Sequence, residues 1–359
     1  MSISWNDRCP VCGSITEQDS GSYACASCGF PYAHAAYFSG SRAAAAWTQT
    51  VQLEKANLLH KMVHLCAERP IFQMCGGRIV FTSPQNGQVS LVGANNVQPQ
   101  PAEIRQYSSD ENTRNEIFLY TDGHVTAKGE NEYGQCNTRG LKQIRSVVAS
   151  ARGTYAITQE GRLERCGQTF PCNTQNIRAL CAGDNYLTVL TQDGRVQSPA
   201  SVSEIRTQIQ GWTGVTAIAC TDNAILALRQ DGHVLFAGKQ PNDPRAQAEK
   251  WSNVAAIAIE QNYAVGLTVD GQILLAGRTL NDFLDRGRRQ AAEWTDIVSI
   301  SCTSSGIAGL AMNGTIRLAG NIRDLDRLRS CWDRSFSASA RLQLLKAVNP
   351  TIETPKSFL

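Results

Sequence analysis

One short turn recurs seven times between apolar runs, and its glycines stand at Gly87, Gly123, Gly161, Gly194, Gly232, Gly271 and Gly314. Successive glycines lie 36, 38, 33, 38, 39 and 43 residues apart, a drifting period the size of one propeller blade rather than of a β-helix coil. Asp-Gly or Asn-Gly between apolar runs closes a two-residue hairpin, because both residues tolerate positive φ. A unit of this kind leaves an apolar face open that only a neighbouring unit can bury. Closing the row into a ring removes the two exposed ends.

Two units written out show what lies between the turns. Trp251-Ser252-Asn253-Val254-Ala255-Ala256-Ile257-Ala258-Ile259 and Tyr263-Ala264-Val265-Gly266-Leu267-Thr268 precede one turn, and Gln272-Ile273-Leu274-Leu275-Ala276-Gly277 follows it. The next unit begins Trp294-Thr295-Asp296-Ile297 and ends Thr315-Ile316-Arg317-Leu318-Ala319-Gly320. Three short strands are visible in each, and a fourth, weaker one is expected in the variable stretch before each Trp or Ile start. Val254, Ile257, Val265, Leu267 and Ile273 are expected between blades. The fold expected is mainly β: a seven-bladed β-propeller over 70–325, preceded by a zinc ribbon over 1–34 and a connecting α-helix over 41–69, and followed by a partly helical extension over 326–359.

The ribbon rests on Cys9-Pro10-Val11-Cys12 and Cys25-Ala26-Ser27-Cys28. Two Cys-x2-Cys knuckles can set four thiolates tetrahedrally about one structural Zn²⁺, with Gly13 and Gly29 letting the backbone turn under the metal. Two disulfides or unligated thiols are the alternative. The chain holds 13 cysteines, an odd number, and Cys166, Cys181, Cys220 and Cys302 lie inside strand-like runs, which reads as small core side chains in a reducing compartment. A cytoplasmic protein is expected, since the N-terminus lacks the apolar core of a signal peptide and no apolar run is long enough for a membrane span. The loop from Gly13 to Ala24 has no Lys or Arg, so the ribbon is expected to dock on protein rather than on phosphate.

Between ribbon and ring, Trp47, Val51, Leu58, Met62 and Leu65 recur at helical spacing. That face packs on the propeller, on the ribbon or on a partner helix. His60 and His64 stand one turn apart near Cys66, but Lys61 occupies the place where an HExxH pattern needs Glu.

The segment Thr121-Asp122-Gly123-His124-Val125-Thr126-Ala127-Lys128-Gly129, continuing Glu130-Asn131-Glu132-Tyr133-Gly134-Gln135-Cys136, resembles the repeat of the regulator of chromosome condensation family. Ala182-Gly183-Asp184-Asn185-Tyr186-Leu187-Thr188-Val189-Leu190 is similar to its strand pair before the turn. The resemblance implies a seven-bladed propeller. It departs in two ways: Tyr155, Tyr186 and Tyr263 replace the recurrent His, and Ala237-Gly238, Ala276-Gly277 and Ala319-Gly320 replace the Trp-Gly end.

No phosphate loop, nucleophile elbow or argued carboxylate pair is found, so an enzyme is not expected. The net charge is +3, and the stretch from Arg278 to Arg341 holds ten Arg against seven acids. Within it, the longest insertion between repeats carries Phe283, Arg286, Arg288 and Arg289, an aromatic anchor with arginines suited to an acidic protein surface, or else a solvated loop paired to Asp282 and Asp285. The function expected is a non-enzymatic scaffold or adaptor that binds a protein partner at its rim. The alternatives are a guanine-nucleotide exchange factor for a small GTPase, which the resemblance permits but no matched residue carries, or a nucleic-acid or chromatin binder, which the modest charge disfavours.

Overall fold

The computed structural model describes residues 9, 11, 41–69, 71–75, 77–110, 115–167, 175–183, 187–198, 203–278 and 287–350. Cys12, Cys25, Cys28, Phe283 and Arg286 lie outside the described residues.

Among the described residues the first element is α1 (Ser41–Glu68), followed by antiparallel meanders of consecutive strands. Sheet 1 holds β1 (Phe72–Cys75), β2 (Arg78–Thr82), β3 (Val89–Val92) and β4 (Val97–Pro99). Sheet 2 holds β5 (Ile104–Ser109), β6 (Asn115–Tyr120) and β7 (Val125–Gly129), and sheet 3 holds β8 (Ile144–Ala149), β9 (Gly153–Thr158) and β10 (Leu163–Gly167). Sheet 4 holds β11 (Ile177–Ala182), β12 (Leu187–Thr191) and β13 (Val196–Gln197). After α2 (Ser203–Ile209) comes sheet 5, with β14 (Val215–Thr221), β15 (Ala224–Arg229) and β16 (Val234–Gly238). Sheet 6 holds β17 (Val254–Ile259), β18 (Tyr263–Thr268) and β19 (Ile273–Gly277), and sheet 7 holds β20 (Ile297–Thr303), β21 (Gly306–Ala311) and β22 (Ile316–Gly320). Helices α3 (Leu325–Ser335) and α4 (Ser337–Val348) follow.

Each sheet packs against the next, and β1 lies against β20, so the row closes on itself. This is the arrangement of a β-propeller, with repeated small antiparallel sheets side by side. Closure uses no shared strand. The segment after residue 70 opens sheet 1, and the tail after Gly320 becomes helical.

The turn glycines explain how one sheet addresses the next. All seven have positive φ, between +73° and +85°. The carbonyls of Gly123, Gly161, Gly194, Gly232 and Gly271 each accept a hydrogen bond from the first residue of the following sheet, Ile144, Ile177, Val215, Val254 and Ile297, at 2.9–3.1 Å. A Cβ on Gly271 would sit 2.9 Å from the Ile297 carbonyl oxygen, so this turn needs glycine for close approach as well as for dihedral angle. Gly314, the last turn, has no sheet after its own in the described chain. Its carbonyl is met by the indole Nε1–H of Trp332 on α3, at 2.7 Å.

The core is divided among the seams between sheets. Val80, Leu91, Tyr107 and Phe118 pack between sheets 1 and 2, and Ile117, Leu119, Ile144 and Val147 between sheets 2 and 3. Val254 and Ile257 face sheet 5, whereas Val265, Leu267 and Ile273 belong to the large cluster that also holds sheets 7 and 1. Fully burying each such side chain contributes about 1.5–3 kcal/mol. Leu59, Met62, Val63 and Cys66 of α1 enter the same large cluster with Trp332, Leu344 and Leu345, so the apolar face of α1 is covered by the ring and the C-terminal helices.

The expected fourth strand occurs only in sheet 1 among the described residues. Before sheets 6 and 7 the chain instead forms 3-10 helices, Pro244–Lys250 and Arg288–Glu293. At the first, Asp243 caps the Arg245 N–H at 2.9 Å and Pro244 supplies a preset φ, so local capping wins over strand extension.

Candidate interaction face

The ring has two unlike ends. At the turn end, Lys55 of α1 pairs with Asp296 at 2.6 Å, Leu59 lies against Gly271, and α3 bonds Gly314, so helices cover sheets 6, 7 and 1 there. At the other end the innermost strands of all seven sheets finish around a cavity of about 240 Å³. Its lining is one short segment per sheet: Met74 and Cys75, Ser109 and Asp110, Ala149 and Ser150, Ala182 and Gly183, Cys220 to Asp222, Ile259 to Gln261, and Cys302 with Thr303.

Backbone groups and short side chains dominate this mouth. Asp110 Oδ1 accepts the Asn115 N–H at 2.8 Å, and the Glu260 carboxylate accepts the Gln261 N–H. Gly183 lacks a Cβ where one would sit 2.5 Å from Asp222 Oδ1, so glycine lets that carboxylate rest against the neighbouring sheet. Burial pushes the Cys75 thiol up, with Asp110 adding to the shift against opposing hydrogen bonds from Ser109. Burial, and then the adjacent Cys220 thiol, push Cys181 well above the ordinary thiol range. Thiols held protonated are poor nucleophiles and poor metal ligands. The mouth therefore offers hydrogen-bonding and acidic groups on a fixed frame.

Two arginines brace the rim. Arg245 is 2% exposed; its Nε and Nη2 bond the Asp243 carboxylate at 3.0 and 2.5 Å, Nη1 reaches the Glu260 carbonyl at 2.8 Å, and Nη2 reaches Asn223 Oδ1 at 2.9 Å. Burial alone would raise the Asp243 carboxyl, but hydrogen bonds from the Arg245 side chain and backbone and its charge hold it below the ordinary range. A smaller cavity of about 130 Å³, lined by Asn223, Asp243, Arg245 and Arg278, adjoins this corner. Arg288 repeats the brace one sheet later. Its Nη2 donates to the Ser304 carbonyl at 2.5 Å and its guanidinium lies 4.6 Å from the Tyr263 ring. Asp243-Pro244-Arg245-Ala246-Gln247-Ala248 and Arg286-Gly287-Arg288-Arg289-Gln290-Ala291 are the matching segments, and Ala248 and Ala291 are both fully buried. Tyr263, at a position where the family repeat has His, bonds the carbonyls of Thr303 and Gly306 at 2.6 and 3.0 Å and so ties sheet 6 to sheet 7.

The residues singled out in the sequence fall in different places. Arg288 is drawn into the rim and Arg289 beside it is exposed. Cys9 is buried with Val11 in the cluster that holds α1. No group of three or more metal-ligating side chains is found among the described residues. His60 and His64 lie on the exposed face of α1 with Nε2 atoms 3.0 Å apart, whereas Cys66 is buried on the opposite face. No described helix is long and apolar enough to cross a membrane.

No protein-family model and no curated protein matches the sequence. Solved structures do match. The CRINKLY WD40 ectodomain of the Arabidopsis thaliana receptor kinase ACR4 is similar at TM-score 0.52 and 13% identity, covering 70% of this chain and 94% of that one. The ectodomain of the Physcomitrella patens receptor kinase CR4 is similar at 0.51 and 13%, covering 69% and 71%. Prp20p from Saccharomyces cerevisiae, a yeast RCC1 described with its binding to Gsp1p and histones, is similar at 0.47 and 15%, covering 62% and 74%. Likeness at such identities concerns the fold alone. The chain is mainly β and of propeller type.

Proposed function

We propose that this chain is a seven-bladed propeller acting as a non-enzymatic protein-interaction scaffold, with its mouth and the adjoining rim insertion as the partner-binding face. The observation that carries the reading is the asymmetry of the ring: helices cover part of the turn end, while seven strand ends converge on a polar mouth held by interlocked sheets. Such a frame presents many backbone and side-chain contacts without moving. In the insertion, Phe283, Arg286 and Arg289 contact the partner and Arg288 anchors the loop to Ser304 and Tyr263. Cys9, Cys12, Cys25 and Cys28 hold one structural Zn²⁺, and the ribbon they form docks the chain in a larger assembly together with α1. A cytoplasmic location is part of the proposal, argued from the odd number of cysteines, 13, and the places of Cys166, Cys181, Cys220 and Cys302 inside strand-like runs.

The test is affinity recovery of bound proteins from native cells with the full chain and with the F283A/R286A/R289A variant. The variant is expected to lose the specific partner while its unfolding midpoint stays unchanged. Equal recovery by a folded variant refutes the rim assignment.

A further inference from the structure

The turn end holds a feature that the scaffold reading leaves unused. In sheets 2, 3 and 4 the second residue of the innermost strand is arginine: Arg105, Arg145 and Arg178. Each sits at a break in strand register, where the pairing skips one residue between Ile104 and Gln106, Ile144 and Ser146, and Ile177 and Ala179. The matching positions in sheets 5, 6 and 7 are Thr216, Ala255 and Val298, so the charge is confined to one arc of the ring.

The arginines are chained from sheet to sheet. Arg105 Nη2 donates to the Arg145 carbonyl at 2.5 Å. Arg145 Nη2 donates to the Ile177 carbonyl at 2.5 Å and to the Arg178 carbonyl at 3.4 Å, and its Nε to the Thr158 carbonyl at 3.2 Å. Carbonyls fix the guanidinium planes of Arg105 and Arg145 but supply no formal negative charge. Among the described residues none of the three reaches a carboxylate within ion-pair distance. The acids in the turns of these sheets are engaged locally: Asp122 with His124 at 2.6 Å, Asp193 with Arg195 at 3.4 Å, and Glu160 with backbone and Thr158 groups. Burial, and then the like charge of Arg105, lowers the Arg145 pKa. Preset guanidinium forks without a counterion match the oxygens of phosphate.

We propose that Arg105, Arg145 and Arg178 form a binding site for a compact polyphosphate, bridged across sheets 2 to 4 at the turn end and remote from the partner-binding mouth. Compactness follows from the short arc of three adjacent sheets, in which Arg105 and Arg145 each lean on the next sheet and the exposed Arg178 ends the row; an extended nucleic acid needs a longer basic track.

The test titrates inorganic tripolyphosphate into the full chain by calorimetry at fixed ionic strength, with orthophosphate and a single-stranded oligonucleotide as comparison ligands. Saturable tripolyphosphate binding, tighter than orthophosphate, is expected, with a loss of roughly tenfold or more in R105Q/R145Q. Because those two residues also bridge sheets, R178Q supplies an independent readout: affinity falls several-fold with the unfolding midpoint unchanged. R195Q, outside the arc, should bind as the parent does. Absence of saturable binding, or parental affinity in both R105Q/R145Q and R178Q, overturns the site. Oligonucleotide binding as tight as tripolyphosphate overturns its compact-ligand character.

Discussion

Removing the buried guanidinium at the rim by Arg245→Met isolates what the brace between sheets 5 and 6 contributes. The substitution keeps an unbranched apolar stem and deletes donors to Asp243, Glu260 and Asn223, leaving a carboxylate whose side chain is 8% exposed. Breaking a buried pair from one side costs about 3–5 kcal/mol. The cavity beside Asn223 and Asp243 can admit water to the orphaned acceptors, which puts the expectation at about 3 kcal/mol, the lower end of that range. In R245M/D243N the stranded charge is gone, so the double variant should be more stable than R245M by about 1–2 kcal/mol. The pH dependence follows from the depressed Asp243 pKa. The pair contributes fully above the unfolded value of 3.8, and its contribution is lost as pH falls through the lower folded value, so D243N and parent converge only in strong acid. Urea unfolding followed by tryptophan fluorescence at pH 7 and near the acid limit measures all three variants. An R245M loss below about 1 kcal/mol, or strict additivity in the double variant, refutes the brace.

Two other outcomes can be checked directly. Trp332 is fully buried, with its ring edge-on to Phe72, Phe81 and Phe336, so Trp332→Ala should cost about 3–5 kcal/mol, whereas Trp332→Phe loses mainly the bond to Gly314 and should cost about 1 kcal/mol or somewhat more, both read from thermal or urea unfolding. Elemental analysis of the purified chain should find zinc in equimolar amount, released in C25S/C28S; a metal-free parent refutes the ribbon.

The repeating turns were legible in the sequence because their requirement is local. The sequence suggests positive φ at both central residues; in the structure only the glycine of each turn takes it, and glycine announces the turn. Their second duty, accepting a bond from the next sheet, depends on an interface that no single window of sequence contains. The apolar positions of sheet 6 were legible for the same reason of short period, and Val265 and Leu267 are indeed fully buried. Arg288 reads as a surface cation by residue type alone. Only alignment of its segment on that of Arg245 shows that it can turn inward, and the side-chain direction itself is set by Tyr263 and Ser304. The mouth leaves little trace in the sequence, since its lining is the ends of seven inner strands and, in five of them, the one or two residues that follow. The arginine arc is likewise invisible along the chain and obvious only when equivalent strand positions are laid side by side.

The seam between sheets 7 and 1 has a consequence for biosynthesis. Sheets 2 to 6 can stack in the order in which a ribosome delivers them, each meeting a neighbour already made. Sheet 1 and α1 cannot. Their apolar surfaces, Leu59, Met62, Val63 and Phe81 among them, wait for Ile307, Trp332 and Leu345, some 250 residues or more later for the α1 positions. During elongation the nascent chain therefore carries an uncovered greasy flank until the residues from Ile307 to Leu345 are made, and that flank is where holding chaperones would engage it and where premature termination would leave it sticky.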